Sequence, residues 1–173
     1  MKTYEIENIL SKVIPTSRTR FLGVFALDQI PQIDNSFSFP LCFVSNTHPS
    51  TKPGEHWVAL FYLSPDSLEF FDSYGLPPAV YGFSLDPRVY NHRTLQSLNS
   101  NVCGQYCIFY LYHRSRGKSL SRILNSFSTR DLAWNDKSVA RFISKYLHPT
   151  NHRCHCASSR CTQSCLKRNC CNK

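Results

Sequence analysis

The chain has 173 residues, of which 42% are hydrophobic and 13% aromatic, and this is enough for one domain with a buried core. No stretch approaches the roughly 20 apolar residues of a membrane span, and the N-terminus lacks the apolar segment of a signal peptide. We therefore expect an intracellular, reduced monomer that binds no membrane and has no disulfide framework. Its formal net charge is +9.

The first half of the chain is predicted to form one helix and four strands. Apolar residues at helical spacing before Pro15 predict the helix. Two apolar runs separated by Ser-Pro-Asp-Ser at 64–67 predict a β-hairpin in a sheet that is buried on both faces. The predicted elements are a helix at 5–13 and strands at 21–27, 41–45, 56–63 and 68–72.

The second half is predicted to be mainly helical. A connection rich in Pro and Gly leads to a helix from about 102 to 113, which is followed by a basic loop. An amphipathic helix is predicted at 139–147, and Pro149 ends the folded part. The sequence therefore predicts a domain at 1–149 and a separate tail at 150–173.

Cys103 is the predicted nucleophile of a thiol hydrolase. A thiol attacks only as its thiolate, and a free cysteine is mostly protonated at neutral pH. Cys103 stands where the predicted helix begins, and a helix N-terminus favours negative charge. A neighbouring imidazolium would favour the thiolate further. Cys107 is the alternative, but it lies one turn further along the same face, where burial would make it a small hydrophobic residue.

His56 and Asp72 are the predicted base and its orienting acid. His56 opens a strand beside Trp57, an aromatic residue that we expect to pack over the imidazole. In an antiparallel hairpin the start of the first strand lies near the end of the second, and these two residues occupy those ends. They must also share a face, which depends on a register that the sequence leaves open. Two alternatives remain: Asp72 caps the turn at 73–75, or Glu69 is the acid.

Gln96 is the predicted side-chain donor to the oxyanion, alongside the backbone N–H of Cys103. Loss of one such donor typically lowers the rate by about 10²–10³. The alternative is an ordinary surface glutamine, which spacing alone does not exclude. We expect Gly104 to let the backbone and a substrate approach the nucleophile closely.

These motifs resemble those of the adenovirus maturation protease family (adenain) and of the wider clan of ubiquitin-like-protein proteases. The shared pattern is His-Trp at the start of a strand, an acid that ends the next strand before an aromatic-Gly pair, and then Gln-x6-Cys-Gly-x2-Cys. Upstream, the run at 21–25 and the Cys42 strand leading into 46–47 also resemble adenain. The resemblance covers about residues 1–147, and only the core motifs are specific.

The resemblance implies an α+β fold in which a mixed central β-sheet is flanked by helices and the nucleophile starts a buried central helix. It implies His56 as general base, Asp72 as orienting acid, Gln96 as oxyanion donor and Cys103 as nucleophile. The implied reaction is endopeptidase cleavage of viral precursor proteins through a thioester, often at sites that contain glycine. The chemistry needs no cofactor, but adenain uses DNA as an activator.

Two features depart from adenain. Asp72 stands where the adenoviral enzymes usually have Glu, and the chain is shorter, with a Cys-rich tail that is not an adenain feature. Relatives encoded by Polinton/Maverick elements and adintoviruses are compact versions of the same protease. We therefore expect a virus-like mobile element as the source, and the host nucleus or the virion as the location.

The C-terminal part of the chain carries unbalanced positive charge. Such a segment suits a polyanion, so we expect DNA as a partner besides the peptide or protein substrate. The alternative is that the basic residues only keep the protein soluble. The basic residues that follow Asp136, the last acid, are Lys137, Arg141, Lys145, Arg153, Arg160, Lys167, Arg168 and Lys173.

The tail is dense in cysteine, and thiolates at this density suit a small structural zinc site. The alternative is a disordered basic tail with oxidisable thiols. The predicted zinc ligands are Cys154, Cys156, Cys161, Cys165 and Cys170.

Three functions fit these patterns. The first is a cysteine endopeptidase that matures precursor proteins. The second is a ubiquitin- or SUMO-type isopeptidase of the same clan, and the third is a non-enzymatic nucleic-acid-binding protein that acts through its tail. The complete set of base, acid, oxyanion donor and nucleophile favours the first, because a domain without catalysis has no chemical need for all four.

Overall fold

The computed structural model of the chain describes residues 1–147, so the predicted zinc ligands lie outside the described residues. No helix within the described part is long and apolar enough to cross a bilayer. The helices are α1 (Thr3–Val13), α2 (Cys103–Arg114), α3 (Leu120–Leu124) and α4 (Leu132–Leu147). The strands are β1 (Arg20–Phe25), β2 (Leu41–Asn46), β3 (Trp57–Ser64), β4 (Ser67–Phe71) and β5 (Val89–Tyr90).

The five strands form one mixed sheet in the order β1-β2-β3-β4-β5. The outer pairs, β1 with β2 and β4 with β5, are parallel, whereas the two inner pairs are antiparallel. β3 and β4 form the predicted hairpin, and all of β2 and most of β3 are buried. The predicted α+β fold, with a mixed sheet flanked by helices, is confirmed.

The sheet divides the hydrophobic core into two parts. α2 packs on one face, where the ring of Tyr110 stacks on Phe71 of β4 with centroids 4.5 Å apart. The other three helices contribute to this same cluster. The opposite face is covered largely by the connecting segments, which contribute Phe37, Phe39 and Phe83. Cover on both faces explains why the central strands are apolar throughout rather than alternating.

One predicted helix boundary is wrong, and one helix lies where a loop was predicted. α4 begins at Leu132 rather than at 139, because the Asp131 carboxylate accepts the Trp134 N–H at 2.8 Å and caps the first turn. α3 lies within the segment predicted as a basic loop, and the Ser119 side chain caps it. In both places an N-cap residue starts a helix within sequence that has little apolar periodicity.

Candidate active site

A cleft of about 820 Å³ lies beside the N-terminus of α2, and three of the four predicted site residues line it: His56, Gln96 and Cys103. Asp72 is fully buried behind them. His56 directly precedes β3, and Asp72 directly follows β4, so the ends of two inner strands and the start of α2 meet at the cleft. Within the described residues, no group of three or more His, Cys, Asp or Glu side chains is placed to hold a metal ion.

Cys103 is the first residue of α2, and it is 8% exposed. Burial alone would raise the pKa of its thiol, but the hydrogen bond and positive charge of His56 lower it. The backbone N–H groups of Trp57 and Gly104 also lower this pKa, because they donate to the sulfur. The resulting pKa lies below the ordinary cysteine value, which favours the thiolate.

Two neighbours of Cys103 on α2 contribute to packing. Gly104 meets the N-terminal segment rather than a substrate path, since a Cβ there would lie 3.1 Å from Ile6 Cδ1 and 3.2 Å from Met1 Cβ. Cys107 is 1% exposed, and burial raises the pKa of its thiol well above the ordinary value. Of the two cysteines on this helix, only Cys103 has the surroundings of a nucleophile.

His56 is held by one short hydrogen bond, in which its Nε2 lies 2.6 Å from Asp72 Oδ1. The hairpin register pairs Ala59 with Phe71, and its continuation keeps His56 and Asp72 on one face of the sheet. The bond at Nε2 leaves Nδ1 for Cys103. Burial would lower the pKa of His56, but hydrogen bonds to Asp72 and Cys103, and the negative charges of both, raise it to about 9.

The Asp72 carboxylate both orients His56 and caps the turn that follows β4. Its Oδ1 also accepts the Tyr74 N–H at 3.1 Å, and its Oδ2 accepts the Leu76 N–H at 2.9 Å and the Tyr81 hydroxyl at 3.0 Å. Four donors therefore hold this fully buried group. The two roles that the sequence offered for Asp72 are compatible, because its two oxygens provide enough acceptor sites.

Glu69, the other acid considered from the sequence, belongs to a different cluster. Its carboxylate accepts from Arg114 Nε at 2.7 Å and from the Arg114 guanidinium Nη2 at 2.8 Å. The Tyr110 hydroxyl donates to it at 3.1 Å. This bidentate pair ties β4 to the C-terminal end of α2, whereas the cleft lies at the N-terminal end.

Gln96 is 1% exposed, so it is not an ordinary surface glutamine. Its Oε1 accepts the Ser73 hydroxyl at 2.7 Å, which defines the orientation of the amide. Its Nε2 donates to the Ser100 carbonyl at 2.6 Å and to the Tyr74 hydroxyl at 3.2 Å. Both amide hydrogens have protein acceptors, and the longer of the two bonds faces the cleft residue Tyr74.

The segment that carries Gln96 is anchored by α4. Asn135 donates to the Leu95 carbonyl at 3.1 Å, and the Tyr106 hydroxyl, on α2, donates to the same carbonyl at 2.9 Å. Asp136 accepts the Ser97 N–H. It also accepts from the Tyr106 hydroxyl at 2.9 Å, so the Tyr106 hydrogen is shared between Asp136 and the Leu95 carbonyl. These contacts fix the backbone on both sides of Gln96. Sequence reasoning missed them because the contributing residues lie far apart along the chain.

The sequence predicted that Trp57 packs over His56, and this prediction is wrong. The rings that cover the imidazole belong to two tyrosines. Tyr74 stacks on the imidazole with centroids 4.8 Å apart, and Tyr81 stacks on it at 5.5 Å. The Trp57 indole instead donates to the carbonyl of Met1 at 3.3 Å. Tyr74 stands in the aromatic-Gly pair of the sequence motif, but no sequence signal pointed to Tyr81.

No protein-family model matches the chain, and no curated protein matches it either. Solved structures do. The crystal structure of the selenomethionine form of the ASFV pS273R protease aligns with 78% of this chain at a TM-score of 0.51 and 20% sequence identity. The aligned part spans 65% of that protease, so this chain corresponds to about two thirds of its length.

A second structure, the central domain of the uncharacterized Lpg1148 protein from Legionella pneumophila, aligns with 83% of this chain and 98% of that chain, at a TM-score of 0.44 and 14% identity. The likeness to the ASFV protease concerns the fold. Together with the mixed sheet and the buried α2, it shows that the chain has the fold of the ubiquitin-like-protease and adenain group of cysteine proteases.

Proposed function

We propose that this chain is a cysteine peptidase in which Cys103 attacks a peptide carbonyl and His56 transfers the protons. The observation that carries the proposal is the position of His56: its Nε2 lies 2.6 Å from Asp72 Oδ1, and its imidazole is close enough to the Cys103 thiol to lower the pKa of that thiol. A thiolate beside an imidazolium in a cleft is the arrangement that a thiol hydrolase needs. The likeness in fold to a protease supports the proposal.

Acylation starts from the thiolate–imidazolium pair. The Cys103 sulfur adds to the carbonyl carbon, and the C=O π electrons move to the oxygen, which becomes an oxyanion. When the oxyanion collapses, the C–N bond breaks, and the leaving nitrogen takes a proton from His56. The amine product departs and a thioester remains on Cys103.

Hydrolysis restores the thiolate. Neutral His56 takes a proton from water, and the hydroxide adds to the thioester to form a second oxyanion, which collapses with cleavage of the C–S bond. The carboxylic acid product leaves, and the thiolate again lies beside an imidazolium. The Asp72 carboxylate stabilises that imidazolium. We assign both oxyanions to the backbone N–H of Cys103 and to the Gln96 amide, whose longer bond, to the Tyr74 hydroxyl at 3.2 Å, can be shared with the oxyanion as a three-centre hydrogen bond.

We further propose that the substrates are precursor proteins of a virus or a virus-like mobile element of the Polinton or adintovirus type. Cleavage at internal sites would mature them in the host nucleus or in the virion. The support for this is the adenain-type motif Gln-x6-Cys-Gly-x2-Cys. DNA is the proposed activator, because only basic charges follow Asp136.

The second candidate is a ubiquitin- or SUMO-type isopeptidase, which the fold favours equally because ubiquitin-like-protein proteases share it. The third candidate, a nucleic-acid-binding protein without catalysis, is favoured only by the basic tail. The buried cleft speaks against it. Holding Cys103 and His56 as charged groups in a buried place costs free energy of desolvation, and a protein without catalysis gains nothing from that cost.

The proposal is tested by exposing the full chain to a proteome-derived peptide library and identifying new N-termini by mass spectrometry. Ubiquitin and SUMO with a C-terminal aminocoumarin are assayed in parallel. We expect cleavage at internal peptide bonds that disappears in Cys103→Ala and falls by at least about 10² in His56→Ala. Cys107→Ala, which removes the buried thiol of the same helix, is the matched control and should still cleave.

Each other outcome selects another function. Release of the coumarin alone, with no internal cleavage, would identify the isopeptidase. Cleavage that persists in Cys103→Ala would place the nucleophile elsewhere. No turnover of any probe by a folded wild-type chain would leave the nucleic-acid-binding protein as the function to pursue.

A further inference from the structure

Tyr74 contacts every other member of the proposed site except the nucleophile itself. Its backbone N–H donates to Asp72 Oδ1 at 3.1 Å, its ring stacks on His56, and its hydroxyl accepts the Gln96 N–H at 3.2 Å. The side chain also lines the cleft together with Cys103. Nothing in the assigned mechanism uses its hydroxyl group.

The Tyr74 hydroxyl has one hydrogen without a protein partner. A phenol oxygen can accept and also donate one hydrogen bond. The Tyr74 oxygen accepts from Gln96, but within the described residues no protein acceptor takes its own O–H. Because Tyr74 lines the cleft, a substrate oxygen bound there can accept that hydrogen.

We propose that the Tyr74 hydroxyl is a further catalytic group, which donates a hydrogen bond to the oxyanion of the tetrahedral intermediate beside the Cys103 N–H and the Gln96 amide. The inference rests on the proposed peptidase function and adds a donor to that same site. No proton is transferred in this role: the O–H bond stays intact, and the hydrogen bond strengthens as charge develops on the carbonyl oxygen.

A series of hydrogen bonds through three side chains makes this hydroxyl a stronger donor. The Ser73 hydroxyl donates to Gln96 Oε1 at 2.7 Å, and Gln96 in turn donates to Tyr74. Donation to the amide oxygen makes the amide a stronger donor, and donation to the phenol oxygen does the same for its O–H. Each hydrogen bond in this series is donated toward the Tyr74 hydroxyl, which lines the cleft.

The hydroxyl also keeps its proton at the pH where a thiolate would work. Burial raises the pKa of Tyr74, and the negative charges of Cys103 and Asp72 raise it further. A tyrosine that stays protonated beside a thiolate remains a neutral hydrogen-bond donor at neutral pH.

Tyr81 provides a matched comparison on the same histidine. Its ring also stacks on His56, but its hydroxyl donates to Asp72 Oδ2 at 3.0 Å and is therefore occupied. Removal of the Tyr81 hydroxyl should change the environment of Asp72 and His56. Removal of the Tyr74 hydroxyl should leave that pair intact and affect only the oxyanion.

The experiment uses two reagents on the full chain. Iodoacetamide alkylates Cys103 by displacement at a saturated carbon and forms no oxyanion. A tetrapeptide aldehyde ending in glycyl-glycinal forms a tetrahedral hemithioacetal with Cys103, and its affinity is measured as protection against alkylation. Both are compared in wild type, Tyr74→Phe and Tyr81→Phe, with the pH profile of alkylation recorded for each.

For Tyr74→Phe we expect an unchanged rate and pH profile of alkylation, but aldehyde protection weakened by about tenfold or more. For Tyr81→Phe we expect the pH profile of alkylation to shift. Equal protection of wild type and Tyr74→Phe would overturn this inference alone. An aldehyde that fails to protect the wild-type thiol, while iodoacetamide still labels it, would overturn both the inference and the proposed peptidase.

Discussion

Cys103 and His56 lie in a cleft where burial disfavours the charged form of each, yet their mutual contact favours both charges. Each charge stabilises the other, and Asp72 adds a second negative partner for the imidazolium. Four donors hold the Asp72 carboxylate in position. At the scale of single residues, the charge state of the site thus depends on partners rather than on exposure.

The raised pKa of His56, about 9, predicts a difference between two reactions of Cys103. Peptide cleavage needs the imidazolium as an acid, so kcat/KM should fall above pH 9. Alkylation by iodoacetamide needs only the thiolate and should not fall there. In His56→Ala, burial is no longer opposed, so the onset of alkylation should move to higher pH. Peptide cleavage and alkylation are both measured across about pH 5–11. An alkylation onset at the same pH in His56→Ala and wild type would contradict the pairing of His56 with Cys103.

Replacement of each carboxylate by an amide distinguishes the catalytic role of Asp72 from the structural role of Glu69. Asp72→Asn removes the negative partner of His56, so kcat/KM at pH 7 should fall by about 10²–10⁴ and the basic limb should move to lower pH. Glu69→Gln should leave that limb in place and instead lower the free energy of unfolding by about 1–3 kcal/mol, because Arg114 loses its charged partner. Urea unfolding and pH–rate profiles of both variants test this, and the reverse pattern would make Glu69 the acid.

At the scale of elements, α2 carries Cys103 at its first residue and packs against α4 further along. α4 also anchors the segment that carries Gln96, through Asn135 and Asp136. A single packing interface therefore sets the distance between the nucleophile and the proposed oxyanion donor. Changes within this interface should affect folding first and the cleft second.

His113 lies in the α2–α4 interface, where its ring packs against Phe109 and Phe142. Burial, together with the positive charges of Lys118 and Arg116, lowers the pKa of His113 to about 4. The unfolded chain therefore binds this proton at higher pH than the folded protein does. Wild-type stability should decrease as pH falls from about 6.5 to 4.

For His113→Phe, which keeps a ring in the interface, we expect a shallower decrease over the same pH range. Urea midpoints from about pH 8 to pH 4.5 test this, with pH 8 as the internal reference because His113 is then neutral in both states. An equal slope in both proteins would show that other groups account for the acid sensitivity.

At the scale of the whole molecule, the sheet is covered on both faces and the charge is unevenly distributed along the chain. Five of the eight basic residues that follow Asp136 lie beyond Pro149. The cleft lies within residues 1–147, which the structure describes, whereas most of these basic residues follow them, so we propose cleavage and polyanion binding as tasks of different parts of the chain.

We expect a chain that ends at residue 149 to bind duplex DNA more weakly than the full chain and with a shallower dependence of affinity on salt concentration. For each phosphate that the shorter chain no longer neutralises, the magnitude of the negative slope of log K against log salt should decrease by about 0.9. Fluorescence anisotropy at several salt concentrations measures both quantities. Identical slopes for the two chains would place the DNA-binding residues within 1–149 and would contradict a role for the tail.

Local patterns in the sequence predicted most of the elements and the residue types of the site, but they missed α3, β5 and the first turns of α4. The apolar spacing of 5–13, the turn at 64–67 and the start of α2 at Cys103 each depend on neighbours along the chain. His56, Asp72, Gln96 and Cys103 could be proposed as one set because their order and spacing form a recognisable motif. The structure places all four side chains at or directly behind one cleft.

Partner choice over long distances lay beyond those patterns. The hairpin register joins His56 to Asp72, whereas packing of α2 against β4 pairs Glu69 with Arg114. That the rings on His56 belong to Tyr74 and Tyr81 likewise follows from how the loop after β4 folds back. Such contacts depend on the three-dimensional packing of segments far apart in the chain, and a short window of sequence contains no signal of which partner each side chain will meet.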